Sequence, residues 1–171
     1  MTTIELNELK DRIHGNNARW WQDLTTGEPI KRDRRELLML TVSEVSEGME
    51  GVRKNLKDDK LVHRDMLEVE LIDCYIRLLD LAGGFNIDLQ HREYYFEIPE
   101  NVAAALFELV KLITRCEADD WMVSGALAYI SMYCGHLGYD LTTTMEEKLT
   151  FNKSRLDHTR EARLAAGGKK F

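Results

Sequence analysis

The sequence predicts an all-α protein, an antiparallel helical bundle, and three observations lead there. Apolar residues recur three and four apart through most of the 171 residues. No alternating strand pattern is present. The chain has only two prolines, Pro29 and Pro99, and both stand where a helix would begin or a loop would end, so long helices run unbroken. Periodicity places helices at about 4–23, 34–55, 65–83, 100–117, 120–138 and 142–160. Asp33 followed by Glu36 forms a capping pair that opens the second helix, and Gly83-Gly84 closes the third. Residues 55–63 are a polar connector rich in Lys and Asp, whereas 86–99 is the longest loop and carries Tyr94, Tyr95 and Phe96. Short connectors between long helices favour antiparallel neighbours. Residues 1–160 therefore read as one all-α domain, with 161–171 a flexible basic tail that includes Gly167-Gly168.

Acidic residues number 30 against 23 basic, a formal charge of −7, which argues against wrapping a nucleic acid polymer. An anionic partner then needs a bridging cation. The imbalance is uneven: residues 148–171 hold seven Lys or Arg against Asp157 and Glu161, leaving the rest of the chain at −12. Cys74, Cys116 and Cys134 are odd in number, widely spaced and free of any C-x-x-C pair, which suits a reduced, cytoplasmic setting. No leader pattern opens the chain, and the most apolar stretch, 102–114, is broken by Glu108 and Lys111, so no membrane segment is expected.

The informative feature is a pair of spacings, Glu44-x-x-Glu47 on the second helix and Glu70-x-x-Asp73 on the third. Acids three apart share a helix face. By itself such a pair is most often a solvated face. Here the angular positions argue otherwise. On the third helix Val69, Ile72, Ile76 and Leu79 form one apolar arc, and Leu67, Leu71, Cys74 and Leu78 another. Glu70 and Asp73 fall in the sector between them, with Met66, Arg77 and Asp80. Glu68, Tyr75 and Ala82 are left for water, so Glu68 is expected as an ordinary surface acid. On the second helix Leu37, Leu40, Glu44, Glu47 and Gly51 make a stripe that turns from apolar to acidic. If the two helices are antiparallel neighbours, four carboxylates converge. Two carboxylates about 4 Å apart repel by about 4 kcal/mol at an effective dielectric near 20, so the cluster must bind protons or cations. All ligands are hard oxygens and no E-x-x-H occurs on these helices, which disfavours a di-iron centre and fits Mg²⁺ or Mn²⁺.

The segments 41–51 (TVSEVSEGMEG) and 68–80 (EVELIDCYIRLLD) resemble the E-x-x-E … E-x-x-D signature of MazG-like, all-α nucleoside triphosphate pyrophosphohydrolases. The stretch 148–155 (KLTFNKSR) is similar to that family's K-x-x-x-N-x-x-R element on a later helix. The resemblance covers about half of the chain. It implies an all-α fold, a dimer or higher homo-oligomer, and Mg²⁺-dependent hydrolysis of a nucleoside triphosphate to its monophosphate and pyrophosphate, as in nucleotide-pool cleaning. It implies Glu44, Glu47, Glu70 and Asp73 as metal ligands and catalytic residues, and Lys148, Asn152 and Arg155 as phosphate contacts. Two features depart from the family pattern. Ser43 stands where members often carry a further Glu, and the helices of 99–138 extend beyond the minimal fold. Metal count, assembly and substrate pocket stay open.

Lys148, Asn152 and Arg155 lie at i, i+4 and i+7, hence on one face, which otherwise would be a solvated basic face near a helix end. Trp20-Trp21 offers a ring for a nucleobase, with core packing expected for at least one of the two. Arg53 and Lys54 could reach phosphates or merely decorate a helix end; Lys31, Arg32, Arg34 and Arg35 could do the same around a turn, and Lys169 and Lys170 from a frayed tail. The five histidines share no metal spacing, and no Walker-type loop or Ser or Cys nucleophile arrangement is present. The alternative to an enzyme is a catalytically inactive helical nucleotide-binding or interaction protein that uses the acids as a structural cation site.

Overall fold

The central element is the helix at Met66–Gly84, in which 14 of 19 residues are buried. The computed structural model describes residues 2–169, and among them seven α-helices pack against one another with no strand. In chain order they are α1 (Thr3–Asn16), α2 (Arg34–Lys54), α3 (Met66–Gly84), α4 (Val102–Arg115), α5 (Trp121–Leu137), α6 (Leu141–Ser154) and α7 (Arg160–Leu164). Helices α1, α2, α5 and α6 all pack on α3, while α4 lies against α2 and α5. The all-α expectation is met. No helix among the described residues is long and apolar enough to cross a membrane.

Helix α2 runs antiparallel to α3, as the register of their contacts requires: Gly51 faces Met66, Gly48 faces Leu67 and Glu70, and the Thr41 carbonyl accepts from Cys74. A β-carbon on Gly51 would sit 2.7 Å from that of Met66, so the two backbones approach more closely than any larger residue allows. The connector between them is ordered rather than merely polar. Buried Asp58 accepts from the amides of Lys60 and Leu61, and Lys57 pairs with Asp65 at 2.6 Å.

Four expectations need correction. Glu68, Tyr75 and Ala82 do not face water; Glu68 is 5% exposed, accepts from the Thr144 hydroxyl at 2.7 Å and pairs with Arg64 at 3.0 Å. An apolar helix covered on every side has no solvent face, and α5 and α6 supply the cover. The first helix stops at Asn16, and Ala18–Trp21 forms a separate 3-10 turn, because Gly15-Asn16-Asn17 is a run of poor helix formers. The sixth ends at Ser154, since Arg155 is extended (φ −70°, ψ 117°). At the start of α2, Asp33 caps the Arg35 amide at 2.8 Å, but Glu36 turns back to Arg32 instead of completing a reciprocal pair.

The two tryptophans diverge. Trp21 packs over Gly84, where a β-carbon would collide with the ring, and its indole N–H donates to Asp80 at 3.0 Å beside His14. Trp20 turns the other way, under the guanidinium of Arg163 at 4.0 Å from the ring centroid. Buried Arg163 also donates to the Arg19 carbonyl at 2.8 Å, so the segment expected as a tail lies against the 3-10 turn. Lys170 and Phe171 lie outside the described residues. The three cysteines are buried and unpaired with one another.

Candidate functional site

The antiparallel register of α2 and α3 brings Glu44 and Glu47 from one helix against Glu70 and Asp73 from the other. An oxygen from each of Glu44, Glu47 and Glu70 lies within 4.8 Å of the others. Glu44 and Glu70 are only 7% and 5% exposed, whereas Glu47 opens to solvent. Gly48, next to Glu47, packs close to α3: a β-carbon there would stand 3.1 Å from Leu67 Cδ1 and 3.4 Å from the Glu70 β-carbon.

The four acids have unequal partners. Glu44 is held by Arg77, whose Nε donates to Oε1 at 2.6 Å. Asp73 receives Lys148 at 2.7 Å, and Lys148 is 4% exposed. Glu70 has no such cation: its Oε2 is buried and without a hydrogen-bond partner. Burial first, then hydrogen bonding with Glu44 and the charges of Asp73 and Glu44, push the Glu70 carboxyl up to about 10. Burial and the Glu44 charge also raise Glu47. Burial raises Asp73 despite the pull of Lys148. Burial opposes the Lys148 charge, yet Asp73 and Glu70 outweigh it and hold the ammonium above its ordinary value.

These carboxylates form one wall of a cleft of about 440 Å³. The lining also includes Lys148 and Asn152 of α6 and Arg155 just past its end, so the three come together although Arg155 has left the helix. Asn152 turns a buried Oδ1 with no partner into this region. Arg155 is engaged by Asp157, with Nε at 2.9 Å and Nη2 at 2.6 Å from its carboxylate. Trp20 lines the cleft next to His158, ring edge to ring face at 5.1 Å.

Not every expected residue arrives. Lys54 is absent from the cleft wall and pairs with Glu50 at 2.5 Å, four residues back on its own helix; Arg53 pairs with Glu50 as well. Arg34 and Arg35 are drawn to Asp120 and Asp33, away from the cleft. Asp73, expected as a fourth ligand, stands outside the three-acid group because Lys148 holds it. Conversely, Lys60, Arg77 and Asp80 line the cleft without having been assigned a role, while Arg32, considered above for phosphate contact, lines it as well. Arg77 and Asp80 share the helical sector of Glu70 and Asp73, and that was the available signal. Lys60 and Arg32 come from segments between helices, where periodicity is silent.

The oxygen-only donor set, the orphaned Glu70 oxygen and the closeness of three carboxylates fit a hard divalent cation held by Glu44, Glu47 and Glu70. Around it stand enough cations to receive an anionic ligand. Neither the family models nor the curated proteins nor the solved structures compared with the chain gave a match.

Proposed function

We propose that the protein is a divalent-cation-dependent nucleoside triphosphate pyrophosphohydrolase, which splits a (deoxy)nucleoside triphosphate into its monophosphate and pyrophosphate. The observation that supports it best is the buried Glu70 oxygen without a partner, within a three-carboxylate group that lines one cleft together with Lys148, Asn152 and Arg155. The resemblance of 41–51, 68–80 and 148–155 to MazG-like enzymes points the same way.

Glu44, Glu47 and Glu70 are the residues that would hold Mg²⁺ or Mn²⁺, which when bound neutralises phosphate charge and acidifies a water. Arg77 fixes the Glu44 carboxylate by its 2.6 Å hydrogen bond, so that one ligand is oriented in advance. Lys148 holds Asp73 out of the group and keeps one cation at the inner end of the cleft. Arg155 and the Asn152 side chain supply directional contacts for phosphate oxygens toward and past the end of α6. Trp20 offers a ring edge and face for the base. Acids of α2 and α3 and cations from α3, α6 and the residues after it thus line the same cleft, a mixture that suits a cation–polyphosphate complex.

The test is incubation of the purified protein with a panel of (d)NTPs and Mg²⁺, with chromatography of the products. Monophosphate and pyrophosphate in equal amounts are expected for at least one substrate, with loss of 10²-fold or more in Glu47→Ala and Glu70→Ala. Absence of either product across the panel, or full activity in both variants, sinks the proposal. One observation favours a second reading, an inactive nucleotide binder: Arg77 and Lys148 already supply internal counter-charge to half of the acids. In that case nucleotide binds without turnover.

A further inference from the structure

Past the end of α6 the cleft is lined by a group of cations gathered on one carboxylate. Asp157 accepts from Arg155 through both oxygens, at 2.9 and 2.6 Å. The same Oδ2 lies 3.4 Å from Lys169 Nζ and 3.9 Å from His158 Nε2. Arg155, His158 and Lys169 all line the cleft, while Asp157 is not part of its wall and is half exposed. A planar bidentate contact supplemented by a lysine is how proteins grip a phosphate as well as a carboxylate. Arg155 stands just past the end of α6, about two helical turns in sequence beyond Lys148, and pairs with Asp157, whereas Lys148 pairs with Asp73, so the two cations are held separately.

We propose that Arg155 and Lys169 form an outer anion subsite for a phosphate group, and that Asp157 is an internal stand-in which holds those cations until the anion displaces it. The class of anion rests on the polyphosphate reading above. Displacement is feasible on geometric grounds. Asp157 belongs to a 3-10 turn of three residues, and its side chain has open solvent to swing into, whereas the Arg155 side chain is 17% exposed and lies beside the Phe151 ring. The cation therefore stays in place and the carboxylate moves. Asp157 is then a positioning residue that weakens binding by competition, while keeping the guanidinium aimed between ligands.

The probe is inorganic pyrophosphate titrated calorimetrically into the full chain without divalent cation, so that the acidic group does not contribute. Asp157→Asn is expected to bind about three- to tenfold tighter than the natural protein, in proportion to the loss of one exposed charge pair. Asp157→Ser should do the same, and Arg155→Gln should weaken binding in either background. Thermal unfolding without anion separates this from a structural role, because a merely structural Asp157 would lose stability and affinity together. Equal or weaker binding by both Asp157 variants, or no binding by any form, overturns the proposal. Tighter binding in a chain that hydrolyses no nucleotide leaves the subsite standing and removes the proposed activity; hydrolysis with unchanged pyrophosphate affinity in the variants does the reverse.

Discussion

Glu70→Gln is the substitution that tests the buried acid most directly. Glu70 is 5% exposed with one oxygen unpartnered, and its carboxyl is held far above its ordinary 4.5 by burial and by Glu44 and Asp73. In the metal-free fold at pH 7 it carries a proton that the unfolded chain has released. Folding then takes up a proton, so the stability contributed is complete below pH 4.5 and declines as pH rises toward the folded value. The loss between 4.5 and neutrality is about 3 kcal/mol, from about 1.4 kcal/mol for each pH unit. Glutamine has the same shape and no proton to take up. In EDTA at pH 7 the variant should therefore be more stable by about 1–3 kcal/mol, or about 3–10 °C in a protein of this size. The gap should close near pH 4.5.

Cation binding reverses the order. A saturating divalent ion at about 100 times its Kd stabilises the natural protein by about 2.7 kcal/mol, and the variant, one ligand short, should gain much less. The assay is thermal unfolding at pH 4.5, 7 and 8.5 in EDTA and in MgCl₂. If the variant is no more stable than the natural protein in EDTA at pH 7, Glu70 is not a buried protonated acid. If Mg²⁺ stabilises both equally, the carboxylate group is not where it binds.

Other substitutions check the supports of the cleft. Gly51→Ala places a β-carbon 2.7 Å from that of Met66 and should destabilise by about 1–3 kcal/mol, measured as a lower urea midpoint with unchanged slope. Lys148→Met leaves Asp73 without its cation among other acids and should lose about 3 kcal/mol at pH 8, and less at acidic pH, since burial already favours the protonated Asp73. Equal losses under both conditions would count against the ion pair. Burial, with Arg155 close by, pushes the His158 imidazole down to about 4 from its ordinary 6.5. Its contribution is present above pH 6.5 and lost as pH falls toward 4, about 1–3 kcal/mol in all, and an NMR titration midpoint near 6.5 would contradict the burial.

The two acidic pairs were legible because an i, i+3 spacing constrains direction on a helix whatever covers it, and the sector between two apolar arcs has to point inward. Lys148 and Asn152, four apart on α6, were legible for the same reason, whereas Arg155 lies just past the helix end. What periodicity does not carry is the identity of the cover. Glu68 looked exposed because nothing within α3 contradicts it; its true partner, Thr144, stands 76 residues away. Lys54 looked available because a helix wheel shows the face and not the competition, which Glu50 wins locally. Arg32 and Lys60 belong to irregular segments, and such residues are placed by tertiary contacts alone. The ends of α1 and α6 were missed where Asn and Ser compete with the helix for their own backbone groups.

The pairing pattern of the four acids carries one more step. Arg77 and Lys148 each neutralise one carboxylate, Glu44 and Asp73, by direct contact. Glu47 and Glu70 are left, and they lie within one group with Glu44. A fold selected only for stability would replace a buried orphaned carboxyl by an apolar residue of similar volume, since an incompletely paired charge costs several kcal/mol. Retaining Glu70 makes sense if the deficit of two charges is filled in use, by two protons or by one divalent ion. Protons leave Glu70 Oε2 without a partner for its lone pairs, whereas an ion shared with Glu44 and Glu47 occupies it. If such an ion binds, part of the negative excess of the chain is what holds it, and Lys148 and Arg155 line the same cleft as any anion the ion would bring.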